Sequence, residues 1–286
     1  MTTIGELLDA LAEEFAPPGV PPSRTEGRDL IAGVLDQPRF WPSAHRDDLV
    51  DQATETEIRA AAARRAEGMP IQYAIGRAAF RHLRLRVDPR VLIPRPETEL
   101  LVDLVLAAQG NGRGRVVDVG TGSGAIALAL AAEGTFDEVH AIELSPDALT
   151  VARANLVAIP EEKRSRLRFH EGSLLKPVQG TFFDAVVSNP PYISVSERGE
   201  MPALVRDWEP SMALFSGDGG MWAIRALVPQ AAAVLVPGGL LAMEVDSRRA
   251  DLAAAAVRDD GRFTDIETRL DLTGRQRFVV ARRQEQ

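Results

Sequence analysis

Five short apolar segments, RVVDVG (115–120), EVHAIEL (138–144), LRFHEG (167–172), FDAVVSN (183–189) and LLAMEV (240–245), follow one another with helix-length stretches between most of them. The intervening stretches are GAIALALAAEG (124–134), SPDALTVARANL (145–156) and GMWAIRALVPQAAAVL (220–235). A strand that returns to the same sheet through a helix must run parallel to its neighbour, so this alternation predicts crossover units and a mostly parallel α/β sheet. The end of the chain departs from it. RFTDIETRL (262–270) and RQRFVVARR (275–283) read as two strands joined by a loop, an antiparallel hairpin at the sheet's far edge.

The first part of the chain has helical spacing instead. Ile4, Leu7, Leu8 and Leu11 repeat at i, i+3, i+4 and i+7, and Thr3 with Glu6 has the spacing of a capping box. PPGVPPS (17–23) breaks that pattern. A second helix carries Leu30, Ile31, Val34 and Leu35, and a third spans TETEIRAAAARRAEG (54–68), with Thr54 and Glu57 as its box and Gly68 near its end. FRHLRLRVDPRVLI (80–93) alternates apolar and polar residues about Asp88-Pro89 and is expected to be a β-hairpin turning there. The expected division is a small helical domain over 1–76, a hairpin linker over 77–95 and the α/β domain over 96–286, whose first helix has Pro96 at its opening position.

Composition removes several function classes. The chain has 286 residues, 45% of them hydrophobic, enough for a sizeable core. Its 33 Lys and Arg against 41 Asp and Glu give a formal charge of -8, which provides no general attraction for a polyphosphate backbone. There are no cysteines, so disulfides, thiolate metal sites and cysteine nucleophiles are excluded. The acidic start MTTIGELLDALAEEF is unlike a signal peptide, and AAAVLVPGGLLAMEV is interrupted at Pro237, Gly238 and Gly239. A cytoplasmic protein with no membrane contact is expected. His45, His82, His140 and His170 have neither metal nor triad spacing and are assigned structural or surface roles.

Three constellations can carry chemistry. DVGTGSGA (118–125) closes an apolar strand and opens a helix, with glycines at 120, 122 and 124 that let the backbone turn tightly against a ligand. With Ala125 it also fits the dinucleotide pattern, and a turn of this kind can join strand to helix with no ligand at all. Glu143, about twenty residues later at the next strand's end, can accept hydrogen bonds from two ribose hydroxyls; it can equally be a helix-entry acid, with Ser145 as cap and Pro146 as first residue. The third is NPPY (189–192). The Asn189 carboxamide and the Pro190 carbonyl can together bind a planar NH2 group, and Tyr192 can stack on it. A proline-stiffened turn with a core tyrosine is the plainer alternative. Its position at a strand's carboxyl end, beside the glycine turn, favours the binding role.

NPPY after the fourth strand and DVGTGSG after the first resemble the S-adenosylmethionine-dependent methyltransferases of planar exocyclic or amide nitrogens. PRPETELLV (94–102), GMPIQYAIGRAAF (68–80), VRDWEPSMALFSGDGG (205–220) and DLTGRQRFVVARR (271–283) are similar to the release factor glutamine methyltransferases, and the similarity runs over essentially the whole chain. The resemblance implies a Rossmann-like class I methyltransferase sheet with a terminal antiparallel hairpin behind a small N-terminal helical domain, and that domain's attachment through the hairpin to the PRPETE stretch leads to the expectation that it docks the protein substrate. It implies N5-methylation of the glutamine in the Gly-Gly-Gln motif of class I peptide-chain release factors. S-adenosyl-L-methionine is then the donor and S-adenosyl-L-homocysteine the product. The enzyme is expected to be a monomer that touches no nucleic acid directly.

Carried onto this chain, Gly120, Thr121, Gly122, Ser123 and Gly124 wrap the donor's methionine part, Glu143 holds its ribose, and Leu174 and Asn189 complete the cofactor side. Asn189, Pro190, Pro191 and Tyr192 hold the substrate amide, and Arg95, Glu97 and Thr98 line its approach. Asn189, Pro190 and Tyr192 form the catalytic set. No dedicated base is required, because a sulfonium methyl is already electrophilic and alignment is the main task. Two places depart from the family pattern: Ser173 stands where many relatives have an Asp near the adenine, and EVDSRRA (244–250) replaces a segment with glycine and glutamines. Methylation of a ribosomal protein's glutamine or of a nucleic-acid amino group uses the same motif. A nicotinamide oxidoreductase would leave NPPY unexplained, and a silent binding module would leave the whole site so.

Overall fold

The computed structural model describes residues 2–15, 24–110 and 112–285, so the proline-rich break at 17–23 lies outside the described residues. The chain falls into two compact units, one running to Arg77 and including Ala203–Trp208, the other comprising Ala78–Pro202 and the chain from Glu209 onward.

The first unit is helical. Helices α1 (Ile4–Glu14), α2 (Arg24–Leu35) and α3 (Gln52–Ala66) enclose a core of Ile4, Leu7, Leu8, Leu11, Leu30, Ile31, Val34 and Ile58. The capping box of α1 forms in both directions: the Glu6 amide donates to the Thr3 hydroxyl at 3.1 Å, and the Thr3 amide donates to the Glu6 carboxylate at 2.8 Å. The cap of α3 differs from the sequence expectation. Asp51 caps it, accepting the Thr54 amide at 2.8 Å, so the helix begins before the expected Thr54–Glu57 box. An Asp three residues earlier accepts an orphan N–H one turn further upstream, with a charged acceptor. Gly33 in α2 packs where a Cβ would lie 2.5 Å from Ile75, which any larger residue would have to displace.

Spanning the division of the chain at Arg77, β1 (Arg77–Phe80) pairs with β2 (Leu83–Arg86). The hairpin therefore turns at Arg81-His82 and not at the expected Asp88-Pro89, which forms a separate turn closed by Val91 N–H to the Asp88 carbonyl. Arg81 takes a left-handed φ of 53°. Its guanidinium makes two bonds of 2.7 Å to Glu133, and its amide donates to Glu99 at 2.8 Å, so fixed ionic partners hold a conformation that a β-run alone would not predict.

The seven-stranded sheet consists of β3 (Arg115–Val119), β4 (Glu138–Glu143), β5 (Leu167–Glu171), β6 (Phe183–Ser188), β7 (Leu235–Glu244), β8 (Phe263–Leu270) and β9 (Gln276–Arg283). Its order is β8-β9-β7-β6-β3-β4-β5. β5, β4, β3, β6 and β7 are parallel, while β9 runs antiparallel to both β7 and β8, giving the expected edge hairpin. The chain moves outward from β3 through β4 to β5 and then returns to place β6 on β3's other side. That reversal opens a crevice at the carboxyl ends of β3 and β6, where open α/β sheets bind ligands.

Helices α4 (Pro96–Gln109), α5 (Ala125–Glu133), α6 (Pro146–Ala154), α7 (Trp222–Val234) and α8 (Ala250–Asp260) belong to this unit. One core contains Val117, Val186, Leu241, Ile224, Leu227, Ala253 and Val257, and a second contains Val116, Val187, Leu101, Val105 and Leu128. Neighbouring residues of one strand fall in different cores because successive side chains point to opposite faces. Leu241, fully buried in β7, should lose about 2–5 kcal/mol of stability on truncation to Ala. Leu272, 90% exposed, should change by less than about 0.5 kcal/mol, and urea midpoints of the two variants check the contrast.

Candidate active site

The strand register brings the sequence motifs into one row. Val119 pairs with Ile142 on one side and Ser188 on the other, and Ser188 pairs with Met243. The next residue of each strand or its exit is Gly120, Glu143, Asn189 or Glu244, so all four share the carboxyl end of the sheet. The Ser188 hydroxyl donates to the Val119 carbonyl at 2.7 Å and ties the two strands beside the crevice.

The glycine loop is built from this ladder. Gly120 and Thr121 both donate their amides to the Ile142 carbonyl at 2.9 Å. Gly120, Gly122 and Gly124 have φ values of 78°, 55° and 86°, which L side chains adopt only with strain. A Cβ at 120 or 122 would meet no protein atom within 4 Å, so both positions face open space; one at 124 would crowd Leu128 at 3.0 Å. The loop is thus free on its outer side and packed on its inner side. Such a bare backbone ending at the N-terminus of α5 suits a small ligand with a charged end. Glu143 accepts the Gly122 amide and the Ser145 amide, each at 2.9 Å, and Ser145 caps α6 through the Ala148 amide. The carboxylate is therefore tethered to loop and helix at once, with acceptor capacity to spare for hydroxyls.

Buried polar residues that the sequence reading did not single out support this loop. One oxygen of Asp118 accepts both the Thr121 hydroxyl at 2.6 Å and the Ala127 amide at 3.1 Å. Burial pushes its carboxyl up to about 7, against the opposing effect of those two bonds. Asn155 uses its whole side chain: it donates to the carbonyls of Ser123 and Arg86 and accepts the Arg86 amide at 2.7 Å. It clamps the loop to the hairpin. A buried Asn after an amphipathic helix carries no distinctive sequence signal, whereas an Asp inside an apolar strand could have been noticed as a buried charge in need of partners.

NPPY lies next to the loop. The Asn189 NH2 donates to the Thr98 hydroxyl at 3.2 Å, and Thr98 donates to Glu244 at 2.6 Å. Tyr192 is partly buried and packs against the core that holds Met221, Met243 and Val245. Burial raises its phenol above the ordinary tyrosine value, with the Glu244 charge adding to this, so the ring is neutral. Gly220 approaches closely: at φ 93°, a Cβ there would lie 2.2 Å from the Tyr192 carbonyl.

The residues of the PRPETE stretch diverge. Arg95 pairs with the buried Glu209 at 2.5 Å, Glu97 is exposed, Thr98 points inward to Glu244, and Glu99 is engaged by Arg81. Leu174 has a left-handed φ of 52° and packs against the core, while Leu175 donates its amide to Gln230. His140 and His170 stack 5.0 Å apart and share a 3.0 Å hydrogen bond, and His45 stacks on Trp41. Among the described residues no group of three or more His, Asp or Glu could hold a metal ion. A cavity of about 240 Å³ lined by Val105, Gln109, Asp184, Gly239 and Arg282 lies away from all of these motifs.

The segment EVDSRRA gains a physical meaning here. Arg249 is only 5% exposed; it donates to the Gly219 carbonyl at 2.8 Å and to Glu197 at 2.6 Å. It joins the residues after NPPY to the loop that touches Tyr192. Arg249→Met should cost about 1.5–3 kcal/mol, the usual worth of hydrogen bonds to a charged group. Amide exchange should quicken in 195–200 and 218–220 before it does elsewhere in the unit.

Residues 96–205 match the methyltransferase small domain, and residues 6–76 match the PrmC N-terminal domain. Release factor glutamine methyltransferases are similar over nearly the whole length. That of Deinococcus radiodurans is 39% identical over 97% of this chain and 98% of its own. That of Mycolicibacterium smegmatis is 39% identical over 99% of each, and that of Moorella thermoacetica 37% identical over 99% and 100%. Among solved structures, a methyltransferase from Pyrococcus furiosus superposes with a TM-score of 0.54 over 82% of this chain and all of its own, at 17% identity, which shows the shared fold. The chain belongs to the release factor glutamine methyltransferase family.

Proposed function

We propose that this protein transfers a methyl group from S-adenosylmethionine to the side-chain amide nitrogen of the Gly-Gly-Gln glutamine in class I release factors, with Asn189 and the Pro190 carbonyl holding that amide. One observation carries the assignment: Asn189 and the open glycine loop occupy adjacent carboxyl ends of β6 and β3, with Ser188 bonded to Val119 between them. Donor and acceptor sites are thereby neighbours on a rigid sheet.

The loop fits the donor on three counts. Its outer side is bare backbone, its end is the N-terminus of α5, and Glu143 retains acceptors for the ribose hydroxyls. Thr121 and Ser123 belong to the same loop, and Leu174 lies beyond β5 on the expected adenine side. Ser173 can accept a hydrogen bond from the adenine but has no charge to offer it, so recognition there is weaker or uses a backbone group. The bound donor supplies an electrophilic sulfonium methyl.

The chain's own groups present the nucleophile. An amide nitrogen is weakly nucleophilic because its lone pair is delocalised. Two acceptors, Asn189 Oδ1 and the Pro190 carbonyl, take its two N–H bonds, fix its plane and leave one face directed at the donor. Pro190 and Pro191 stiffen this backbone, so the carbonyl does not have to be ordered when substrate arrives. The Tyr192 ring covers the amide and excludes water. Its neutral hydroxyl is not asked to take a proton; the one N–H proton displaced by the methyl leaves to solvent during or after transfer. Arg95 and Glu97 line the approach; Thr98 stands behind Asn189.

Residues 1–76 dock the release factor, 77–95 link, and 96–286 catalyse, in a cytoplasmic monomer that makes no direct nucleic-acid contact. The net charge of -8 supports the last point. The test uses methyl-labelled donor, an unmethylated class I release factor and a copy with Ala in place of the Gly-Gly-Gln glutamine, with the methyl located by peptide mass spectrometry. One methyl on that glutamine is expected, and none on the copy. Asn189→Ala should lower transfer at least about a hundredfold through lost alignment while changing donor affinity less than about threefold. In the same assay a chain begun at residue 71 should bind donor but methylate full-length release factor poorly. Methyl on another residue, or equal losses of binding and turnover in Asn189→Ala, would refute the assignment.

A further inference from the structure

Three side chains from distant parts of the sequence form a single line of hydrogen bonds behind the NPPY motif. Thr98, in the first turn of α4, is 5% exposed, and Glu244, at the end of β7, is 1% exposed. The Asn189 NH2 donates to the Thr98 hydroxyl at 3.2 Å, and that hydroxyl donates to Glu244 Oε2 at 2.6 Å. None of the sequence motifs explains Glu244, and an acid buried to this degree is expensive unless something uses it.

The direction of these bonds is what matters. A hydroxyl has one proton, and a carboxylate can only accept. With Glu244 ionised, Thr98 must therefore donate to it and can only accept from Asn189. The NH2 end of Asn189 is then committed to α4 and its carbonyl oxygen is turned the other way. A substrate amide offering N–H bonds needs that oxygen. An Asn free to rotate would present the wrong end in part of the population, donor facing donor.

We propose that the buried Glu244 carboxylate, acting through the Thr98 hydroxyl, sets the orientation of the Asn189 amide so that its oxygen faces the glutamine, which makes Thr98 and Glu244 positioning residues. This rests on the reading that Asn189 accepts from the substrate amide. It also assigns Thr98 a place behind the site instead of along the approach.

The arrangement has a pH dependence with a defined sign. A protonated Glu244 becomes a donor to Thr98, which can then donate to Asn189 Oδ1 and turn its NH2 toward the substrate. Burial pushes the Glu244 carboxyl up to about 7; its bond from Thr98 and the positive charges of Arg277 and Arg95 oppose this, and the negative charge of Glu97 adds to it. The neutral Tyr192 phenol, which burial and the charges of both Glu244 and Asp246 hold protonated, also faces this group. The productive form is the ionised one, so turnover should rise as pH increases through about 7.

The test compares wild type, Thr98→Val, Thr98→Ser and Glu244→Gln on the same release factor, with donor affinity and melting temperature measured alongside kcat and KM. Thr98→Val keeps the side-chain shape and removes the relay; kcat should fall about tenfold, the worth of one well-placed hydrogen bond, with KM and donor affinity within about twofold. Thr98→Ser should recover most of the loss. Glu244→Gln cannot ionise, so the rise of kcat around pH 7 should disappear. Wild-type kcat in Thr98→Val, or a pH rise that persists in Glu244→Gln, would overturn the proposal while leaving the methylation assignment intact. A wild-type protein that binds donor yet leaves the glutamine unmethylated would overturn that assignment, and this proposal with it.

Discussion

Backbone hydrogen bonding between β3 and β6 governs everything else in the α/β unit. Because the strands are parallel and in register at Val119 and Ser188, the residues that leave the sheet there are neighbours by construction. One leads into the glycine loop, the other into NPPY. β4 adds Glu143 on one side and β7 adds Glu244 on the other, through the same ladder. A shift of one residue would turn every side chain to the opposite face and separate the four positions. The helices cover the apolar faces of this sheet and leave its carboxyl edge bare.

That edge is supported by polar groups buried beneath it. Asp118 holds the loop to the start of α5, Asn155 holds it to the hairpin, and Glu244 reaches Asn189 through Thr98. Each of these groups is costly to bury, and each bonds a backbone or side chain of the crevice, Asp118 through one oxygen while its other oxygen is buried without a partner among the described residues. Arg249 bonds the segment that follows NPPY, and Glu209 bonds Arg95 within PRPETE itself. Such buried, hydrogen-bonded partners tolerate little rearrangement, so the crevice is shaped before any ligand arrives.

Much of this was legible in the sequence, for reasons of period and local chemistry. Apolar strands alternating with helices have few arrangements open to them, and the final two strands show their difference in the lack of any helix between them. Thr3–Glu6, Ser145-Pro146 and Pro96 act within one helical turn, so their spacing is enough. The misreadings are non-local. Asp88-Pro89 has strong turn chemistry, but the hairpin turns at Arg81, which Glu133 and Glu99 hold from 52 and 18 residues away. Thr54–Glu57 has the spacing of a box, and Asp51 takes the cap. The roles of Glu244, Asn155, Glu209 and Arg249 could not be read from the sequence because each acquires its meaning from a partner at least 30 residues distant, which no short motif encodes.

A crystal structure of this protein with S-adenosylhomocysteine and an unmethylated class I release factor tests the central claim most directly. The account predicts that the Gly-Gly-Gln amide nitrogen lies within hydrogen-bond distance of both Asn189 Oδ1 and the Pro190 carbonyl, with Thr98 still bonded to the Asn189 NH2 and the homocysteine over Gly120–Gly124. A glutamine seated away from NPPY, or an Asn189 turned with its NH2 toward the substrate, would contradict it.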